Sequence, residues 1–258
     1  MAPAVVLLHA FPLDKRLWDD VVGPVAEAGW DVVVPDLLGF GESRLPEDYD
    51  DEPTLARHAR SVLGILDRVG VANAVFCGIS LGGYVAMEIV RQDPSRVAGI
   101  ALVDTKATAD ADEARANRLR VAEQVTEAGS TEALARAMLP NLLGPTTHAE
   151  RPAVVDRVRS WILEADPAGV AFAQRSMAVR PDSLADLASL AVPGLVLWGT
   201  EDALSSRAEQ DLMVDAMRDA RFVEVAGAGH LVCIEDPGAT ASALVSFLRD
   251  VERLPRHV

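Results

Sequence analysis

The sequence predicts an α/β fold in which a parallel sheet is flanked by helices. Short apolar segments alternate with longer helical patterns, the apolar segments show no polar alternation, and they are rich in Val, Leu and Ile. Strands with this composition are buried on both faces and belong to parallel sheets covered by helices. With 258 residues, 50% of them apolar, the chain is long enough to form a sizeable core.

Six strands and five helices are predicted for the sheet and its covering layers. The strand candidates are residues 4–9, 31–35, 74–79, 97–103, 194–198 and 221–225. The helix candidates between and after them are residues 18–28, 54–69, 81–92, 206–218 and 239–253. Each strand–helix–strand connection is expected to be right-handed.

One interval, residues 106–190, interrupts the alternation because it contains no strand-like segment. Breakers such as Gly129 and Pro140 separate several helical patterns in it. These helical patterns are residues 112–128, 131–138, 153–165, 168–178 and 183–190. We therefore expect an all-helical insertion in a core formed by residues 1–105 and 191–258. Such an insertion would lie over the carboxyl ends of the strands, where ligands bind in open α/β sheets.

Composition and charge argue against several classes of function. The formal net charge of −15 is spread along the chain without a cluster of Lys or Arg, and such a surface repels nucleic acid. Cys77 and Cys233 form no C-x-x-C pair, so no disulfide framework, zinc site or redox site is predicted. The N-terminal segment has no basic region, and its apolar stretch is too short for a signal peptide or a membrane span. A cytoplasmic protein without a membrane partner is therefore predicted.

A candidate nucleophile lies between the third strand and the following helix. Gly78-Ile79-Ser80-Leu81-Gly82 has the pattern G-x-S-x-G, and a sharp strand-to-helix turn lifts the serine hydroxyl above the end of the sheet. Side chains at positions 78 and 82 would collide with neighbouring backbone as the chain doubles back. The start of the helix places amide groups and the positive end of the helix dipole beside Ser80, where they would stabilise an oxyanion.

A serine nucleophile needs a base, and the chain offers five histidines. Three of them are expected at the surface, namely His58, His148 and His257. His9 ends the first strand. His230 lies in a glycine-rich loop directly after the last strand, and such a loop can bring the imidazole over the sheet end next to Ser80. His230 is therefore the predicted base.

The base in turn needs an orienting carboxylate, for which two aspartates are serious candidates. Asp202 and Asp104 each follow the carboxyl end of a predicted strand, and either one fits the chain order Ser, Asp, His. We favour Asp202 because its strand lies beyond the insertion and closer to the strand that precedes His230. Glu201 is a weaker rival, since only one of two adjacent side chains can point into the site.

Two backbone N–H groups are needed to bind an oxyanion. One is expected from Leu81, the residue after the nucleophile. The other is expected from the loop that follows the first strand, His9-Ala10-Phe11-Pro12. Phe11 is the candidate donor in this loop, because Pro12 has no N–H.

Together these segments resemble the α/β-hydrolase superfamily over nearly the whole chain. The matching segments, in chain order, are residues 7–12, 35–43, 78–83, 198–202 and 227–230. The resemblance implies an α/β-hydrolase fold with a helical cap, in which Ser80 is the nucleophile, Asp202 the acid and His230 the base. It also implies an oxyanion hole formed by the amides of Phe11 and Leu81, and a reaction that needs neither a metal nor an organic cofactor.

Two departures from the family pattern have structural consequences. Ala10 stands where members usually have glycine, and its methyl group is expected to narrow the approach to the oxyanion hole. The chain also begins almost at the strand that carries His9, so there is no room for the family's two leading strands. A six-stranded, wholly parallel sheet is therefore expected. Its exposed edge strand favours association, so we expect a monomer or a homodimer.

The resemblance also narrows the reaction. Serine at position 80 argues against haloalkane dehalogenases and epoxide hydrolases, which have aspartate there. The predicted activity is hydrolysis of a small carboxylic ester, lactone or thioester through an acyl-enzyme intermediate, with carboxylesterases and 3-oxoadipate enol-lactonase-type hydrolases as the most similar members. Alternatives are a C–C bond hydrolase, acyltransferase or cyclase-type biosynthetic enzyme with the same triad, and a non-catalytic small-molecule receptor.

The helical cap is expected to supply an apolar pocket for the acyl group of the substrate. Five apolar side chains of the insertion are candidates for its lining, namely Met138, Leu142, Trp161, Phe172 and Met177. Each of them also fits the alternative that it forms the core of the cap itself.

Overall fold

A six-stranded parallel sheet forms the centre of the protein. The computed structural model describes residues 3–45 and 52–253. The strands are β1 (Ala4–Leu8), β2 (Asp31–Val33), β3 (Ala74–Ile79), β4 (Val97–Val103), β5 (Gly194–Gly199) and β6 (Ala220–Val225). They lie in the order β2-β1-β3-β4-β5-β6, and every pair of neighbours is parallel. The prediction of a six-stranded, wholly parallel sheet is therefore confirmed.

Burial of the strands explains their composition. Every residue of β1 and β3 is buried, and β4 and β5 each have a single half-buried residue. The edge strands β2 and β6 are largely half-buried or exposed, since each has a neighbour on only one side. The central strands therefore lack polar alternation because helices cover both of their faces.

Five helices form the layers that cover the sheet: α1 (Asp19–Glu27), α2 (Leu55–Arg68), α3 (Leu81–Gln92), α10 (Arg207–Ala216) and α12 (Pro237–Arg253). In one layer α1 packs against α12, and in the other α2 packs against α3. The helix α3 also contacts β1, β3 and β4, so its first residue lies at the centre of the sheet edge. A short helix that was not predicted, α11 (Val232–Glu235), precedes α12.

The prediction that His58 lies at the surface is wrong. The buried side of α2 is formed by Leu55, His58, Ala59, Val62 and Leu66, which recur at helical spacing. His58 occupies one position of this stripe and is fully buried. The structure places His148 at the surface as expected, whereas His257 lies outside the described residues.

Six helices lie between β4 and β5, and we refer to them together as the cap. They are α4 (Asp112–Ala128), α5 (Glu132–Leu142), α6 (Pro145–Glu150), α7 (Pro152–Glu164), α8 (Pro167–Ala178) and α9 (Leu184–Ser189). Pro140 was expected to separate helical segments, but α5 continues through it and ends two residues later, at Leu142. The helix α6 was missed because Pro145, which looks like a breaker, occupies the first turn of a helix, where proline is favoured.

Within the described part of the chain, none of the helices combines the length and the apolar character needed to cross a membrane.

Candidate active site

Ser80 occupies a strained turn between β3 and α3. Its backbone has φ 53° and ψ −113°, a conformation that costs a non-glycine residue about 1–3 kcal/mol. Two hydrogen bonds hold the turn: the Ser80 N–H donates to the Val103 carbonyl at 3.0 Å, and the Thr105 hydroxyl donates to the Ser80 carbonyl at 2.8 Å. The end of β4 therefore fixes the backbone from which the serine hydroxyl projects.

The two glycines of the pentapeptide allow the backbone to pass close to its neighbours. A Cβ atom added to Gly78 would overlap the carbonyl of Gly82, and one added to Gly82 would overlap the carbonyl of Leu8 at the end of β1. These neighbours are backbone atoms, which cannot move aside as the end of a flexible side chain can. The predicted collisions at positions 78 and 82 are thus confirmed, and the turn requires glycine at both.

His230 and Asp202 form a hydrogen-bonded pair at the same edge of the sheet. The imidazole Nδ1 lies 3.0 Å from each carboxylate oxygen of Asp202, whose side chain is fully buried. Burial alone raises the pKa of Asp202. The charge of His230, together with hydrogen bonds from His230, the Ser205 hydroxyl and the Leu204 N–H, outweighs burial and holds this pKa below its ordinary value. The carboxylate therefore stays ionised beside the imidazole.

The two rival carboxylates have other partners. Asp104 is fully buried, and its oxygens accept the N–H groups of Gly199 at 2.8 Å and Val232 at 3.3 Å. Burial and then the charge of Asp202 raise the pKa of Asp104 well above its ordinary value. Glu201 accepts hydrogen bonds from Thr146 in the cap. Of the three candidates, the structure brings Asp202 to His230.

His9 fixes the loop that was predicted to carry one oxyanion amide. Its Nδ1–H donates to the Ala10 carbonyl at 3.0 Å, and its Nε2 accepts the Leu37 N–H at 2.8 Å. Burial lowers the pKa of His9, so the ring is neutral and both nitrogens are used. Phe11, which follows in this loop, lines the same cavity as Ser80 and His230.

The second predicted oxyanion amide belongs to Leu81, the first residue of α3. The N–H groups in the first turn of a helix have no acceptor within the helix, so they are free to bind an anion at the helix end. Ser80 is the residue immediately before this helix. The structure thus places the Leu81 amide next to the serine on the chain, at the positive end of the α3 dipole.

A cavity of about 460 Å³ separates this edge of the sheet from the cap. Ser80 and His230 line it from the core side. Of the predicted acyl-pocket residues, Met138, Leu142 and Met177 line it from the cap side. The cap therefore covers the carboxyl ends of the strands, where the insertion was expected.

Two of the predicted pocket residues lie elsewhere. The ring of Trp161 contacts the guanidinium groups of Arg16 and Arg157, at 5.2 and 5.4 Å from its centroid, and lines a separate groove of about 860 Å³. Phe172 is buried against His58 on α2, with 5.3 Å between the ring centroids. Phe172 therefore packs the cap against the core and does not belong to the lining of the Ser80 cavity.

Sequence reasoning missed the polar wall of the cavity, which was expected to be apolar. Asp110 binds both the Arg118 Nε–H and the Arg180 guanidinium, the latter at 2.7 Å, and Arg118 and Asp110 line the cavity. Burial raises the pKa of Asp110, but the two arginines hold it below its ordinary value. Two guanidinium groups thus share one carboxylate, which leaves one excess positive charge in this cluster.

Arg118 has further hydrogen-bonding capacity toward the cavity. The acceptors of its Nη1 are both uncharged: Gln174 Oε1 at 3.3 Å and the thioether Sδ of Met177 at 3.2 Å. Gln174 also lines the cavity, as does Lys106, which pairs with Glu209 at 3.3 Å. In the sequence, this polar lining is indicated only by the charged and amide residues of the predicted insertion. Their spacing does not show which of them face a cavity.

No cluster of three or more His, Cys, Asp or Glu side chains suited to a metal ion occurs in the part of the chain that the structure describes.

Comparisons with known proteins agree over nearly the whole chain. The family model described as "alpha/beta hydrolase fold" matches residues 3–237. A thermophilic esterase from Thermogutta terrifontis is 38% identical, with a TM-score of 0.92 over 97% of this chain and 91% of that one. The enol-lactonase from Burkholderia xenovorans LB400 is 28% identical, with a TM-score of 0.87 over 96% of this chain and 92% of that one. A curated relative, 3-oxoadipate enol-lactonase 1 from Acinetobacter baylyi, is 26% identical over 254 residues, 97% of this chain and 90% of that protein.

The requirement for glycine at position 82, where α3 passes close to the end of β1, can be tested by substitution. Replacing Gly82 by Ala should lower the free energy of unfolding by about 1–3 kcal/mol, because the added methyl group overlaps backbone that cannot move aside. The matched control is Gly64→Ala in the interior of α2, where the nearest atom is 3.8 Å away and alanine should be neutral or stabilising. Urea unfolding measures both variants. Equal stability of the two would contradict the account of the turn.

Proposed function

The chain belongs to the α/β-hydrolase fold family, and on this basis we propose that it is a serine hydrolase of small carboxylic esters, lactones or thioesters. The observation that carries this proposal is the hydrogen-bonded pair of Asp202 and His230, which lies at the same cavity as a serine in a strained, glycine-flanked turn. A protein that only binds a ligand has no need of this combination.

In the proposed reaction the Asp202 carboxylate determines the tautomer of His230. Because Nδ1 carries the proton that is donated to Asp202, Nε2 is left unprotonated and accepts the proton of the Ser80 hydroxyl. The serine oxygen then attacks the carbonyl carbon of the substrate. The buried carboxylate stabilises the imidazolium that forms, since burial strengthens the attraction between the two charges.

The negative charge that develops on the carbonyl oxygen is bound by the backbone N–H groups of Phe11 and Leu81. Removal of one such donor costs about 3–4 kcal/mol of transition-state stabilisation in enzymes that use the same device. The imidazolium of His230 protonates the leaving group, which gives an acyl-enzyme on Ser80. Water then enters, His230 removes its proton, and hydrolysis releases the carboxylic acid and restores the serine.

The cavity limits the size of the substrate. A volume of about 460 Å³ lies at the lower end of the range for small-molecule sites, which is roughly 300–1,000 Å³. The apolar side chains Met138, Leu142 and Met177 would contact the carbon chain of an acyl group. The names of the relatives, an esterase and two enol-lactonases, support an ester or a lactone as the substrate.

The polar wall further favours a substrate whose acyl chain ends in a carboxylate. The cluster of Asp110, Arg118 and Arg180 holds one excess positive charge at the cavity, although the protein as a whole carries a net charge of −15. The Nε–H of Arg118 is bonded to Asp110, but its Nη1 contacts only an amide oxygen and a thioether, so this side of the guanidinium would gain from an anionic partner. Arg118 and Gln174 together would bind the carboxylate.

Exchange of single carboxylates tests the assignment of the triad. Asp202→Asn should lower kcat by about 10⁴-fold, because the amide no longer holds the tautomer in which His230 accepts a proton. Asp104→Asn should leave kcat within tenfold of the parent, since Asp104 binds the backbone amides of Gly199 and Val232. Steady-state hydrolysis of p-nitrophenyl esters measures both, with Ser80→Ala as the inactive reference. A reversed order of the two losses would move the acid to Asp104, and residual activity of Ser80→Ala would refute the proposed nucleophile.

A matched pair of esters tests the role of Arg118. Mono-p-nitrophenyl adipate should be hydrolysed with a higher kcat/KM than p-nitrophenyl hexanoate, which has the same number of carbon atoms but no carboxylate. Arg118→Met should reduce kcat/KM at least tenfold for the adipate and less than threefold for the hexanoate, since a hydrogen bond to a charged group contributes about 1.5–3 kcal/mol. Arg115→Met, on the exposed side of α4, is the control. Equal effects of Arg118→Met on both esters would argue against carboxylate recognition.

A further inference from the structure

Two glutamates connect the loops of the proposed triad to one short segment of the cap. Glu201 directly precedes Asp202, and Glu235 lies in α11, shortly after His230. Both side chains accept hydrogen bonds from residues 143–147, which comprise the two-residue link after α5 and the first residues of α6, and which we name the cap anchor. The proposed reaction assigns no role to either carboxylate.

Glu235 joins the cap anchor to the backbone that carries His230. One oxygen, Oε1, accepts the N–H of Leu231 at 3.0 Å, and Leu231 is the residue directly after His230. The other oxygen, Oε2, accepts the Gly144 N–H at 2.8 Å and the Thr147 hydroxyl at 2.7 Å. The side chain is buried, and these three donors are all neutral. A single carboxylate therefore fixes the position of the His230 loop relative to the cap.

Glu201 makes a second connection on the other side of the pair. Its Oε2 accepts the Thr146 N–H at 2.9 Å, and its Oε1 accepts the Thr146 hydroxyl at 2.6 Å. Its own N–H donates to the Ala228 carbonyl at 2.8 Å, in the loop that leads to His230. Hydrogen bonds thus connect three segments with one another: the strand end that precedes Asp202, the loop that leads to His230, and the cap anchor.

Close backbone contact leaves this arrangement little freedom. A Cβ atom on Gly229 would overlap the Gly144 N–H, and one on Gly199 would overlap the Gly229 carbonyl. The chain preceding His230 is therefore enclosed between the cap anchor and the end of β5. Because packed backbone does not deform continuously, a shift of the cap anchor would be transmitted to the imidazole.

We propose that the cap anchor holds His230 in register with Asp202, and that Glu235 and Glu201 are positioning residues for the reaction. The kinetic part of this inference rests on the proposed hydrolase function. According to this proposal, the hydrogen bond between Nδ1 of His230 and Asp202 depends on the carboxylates of Glu235 and Glu201, although neither carboxylate contacts a ring nitrogen of His230.

The test compares Glu235→Gln with Glu150→Gln, an identical substitution at an exposed position of α6. In glutamine an NH₂ group replaces one of the two carboxylate oxygens. This group cannot accept the hydrogen bonds that the carboxylate accepts from Leu231, Gly144 or Thr147. We expect the downfield ¹H resonance of the His230 Nδ1–H to shift or broaden beyond detection, and kcat to fall at least tenfold while KM changes less than threefold. Glu150→Gln should leave the resonance, kcat and KM unchanged.

Two further variants keep the test decisive if Glu235→Gln does not fold. Thr147→Val removes the hydroxyl that donates to Glu235 and accepts from Arg151, and Glu201→Gln weakens the connection beside Asp202. Each should perturb the same resonance and lower kcat about threefold to tenfold, with thermal unfolding recorded in parallel. Folded variants that have a lower Tm but an unchanged resonance and kcat would overturn the proposal, because the glutamates would then serve stability alone.

The resonance needs no substrate, so the inference and the proposed function can fail separately. If the parent protein hydrolyses no ester but Glu235→Gln still loses the resonance, the positioning role stands and the proposed reaction fails. If ester hydrolysis is present and the resonance and kcat are unchanged in every variant, the reaction stands and the positioning role is wrong.

Discussion

The site depends on close backbone contact at the carboxyl edge of the sheet. Ser80 keeps a positive φ because β4 binds its backbone on one side, while the glycines at 78 and 82 let α3 pass over β1 on the other. Larger side chains at these positions would separate the helix from the sheet and release the turn. The same principle recurs at Gly144 and Gly229, where the cap meets the histidine loop. The serine and the imidazole are thus held by backbone, which cannot adjust as side chains do.

The cap contributes more than a cover for the cavity. Its inner surface combines apolar side chains with a cluster in which Arg118 and Arg180 share Asp110, so that a positive wall lies inside a strongly acidic protein. Its anchor, residues 143–147, is bonded to both loops of the proposed triad. The proposed recognition of the substrate and the proposed positioning of His230 against Asp202 therefore involve the same part of the chain.

Local patterns were sufficient to predict the elements that determine the fold. The apolar strands, the turn at Ser80 and the glycine-rich loop before His230 each have a local physical cause, so they could be read without knowledge of the tertiary structure. The orientation of the side chains in the cap helices has no local cause, because it depends on which elements the cap packs against. The sequence offers Trp161 and Phe172 as apolar side chains of the cap, but it does not show that one lines a second groove and that the other contacts His58. Likewise, the burial of His58 and the pairing of Asp110 with Arg118 depend on elements that are distant in sequence.

If Ser80 is an activated nucleophile, it should react with a small fluorophosphonate, and intact-mass spectrometry after incubation with this reagent would detect the product. We expect a single adduct on Ser80 that is absent in Ser80→Ala and in His230→Ala, because the serine reacts only when the imidazole accepts its proton. An unlabelled parent protein, or a His230→Ala variant labelled as rapidly as the parent, would show that Ser80 is not activated by His230.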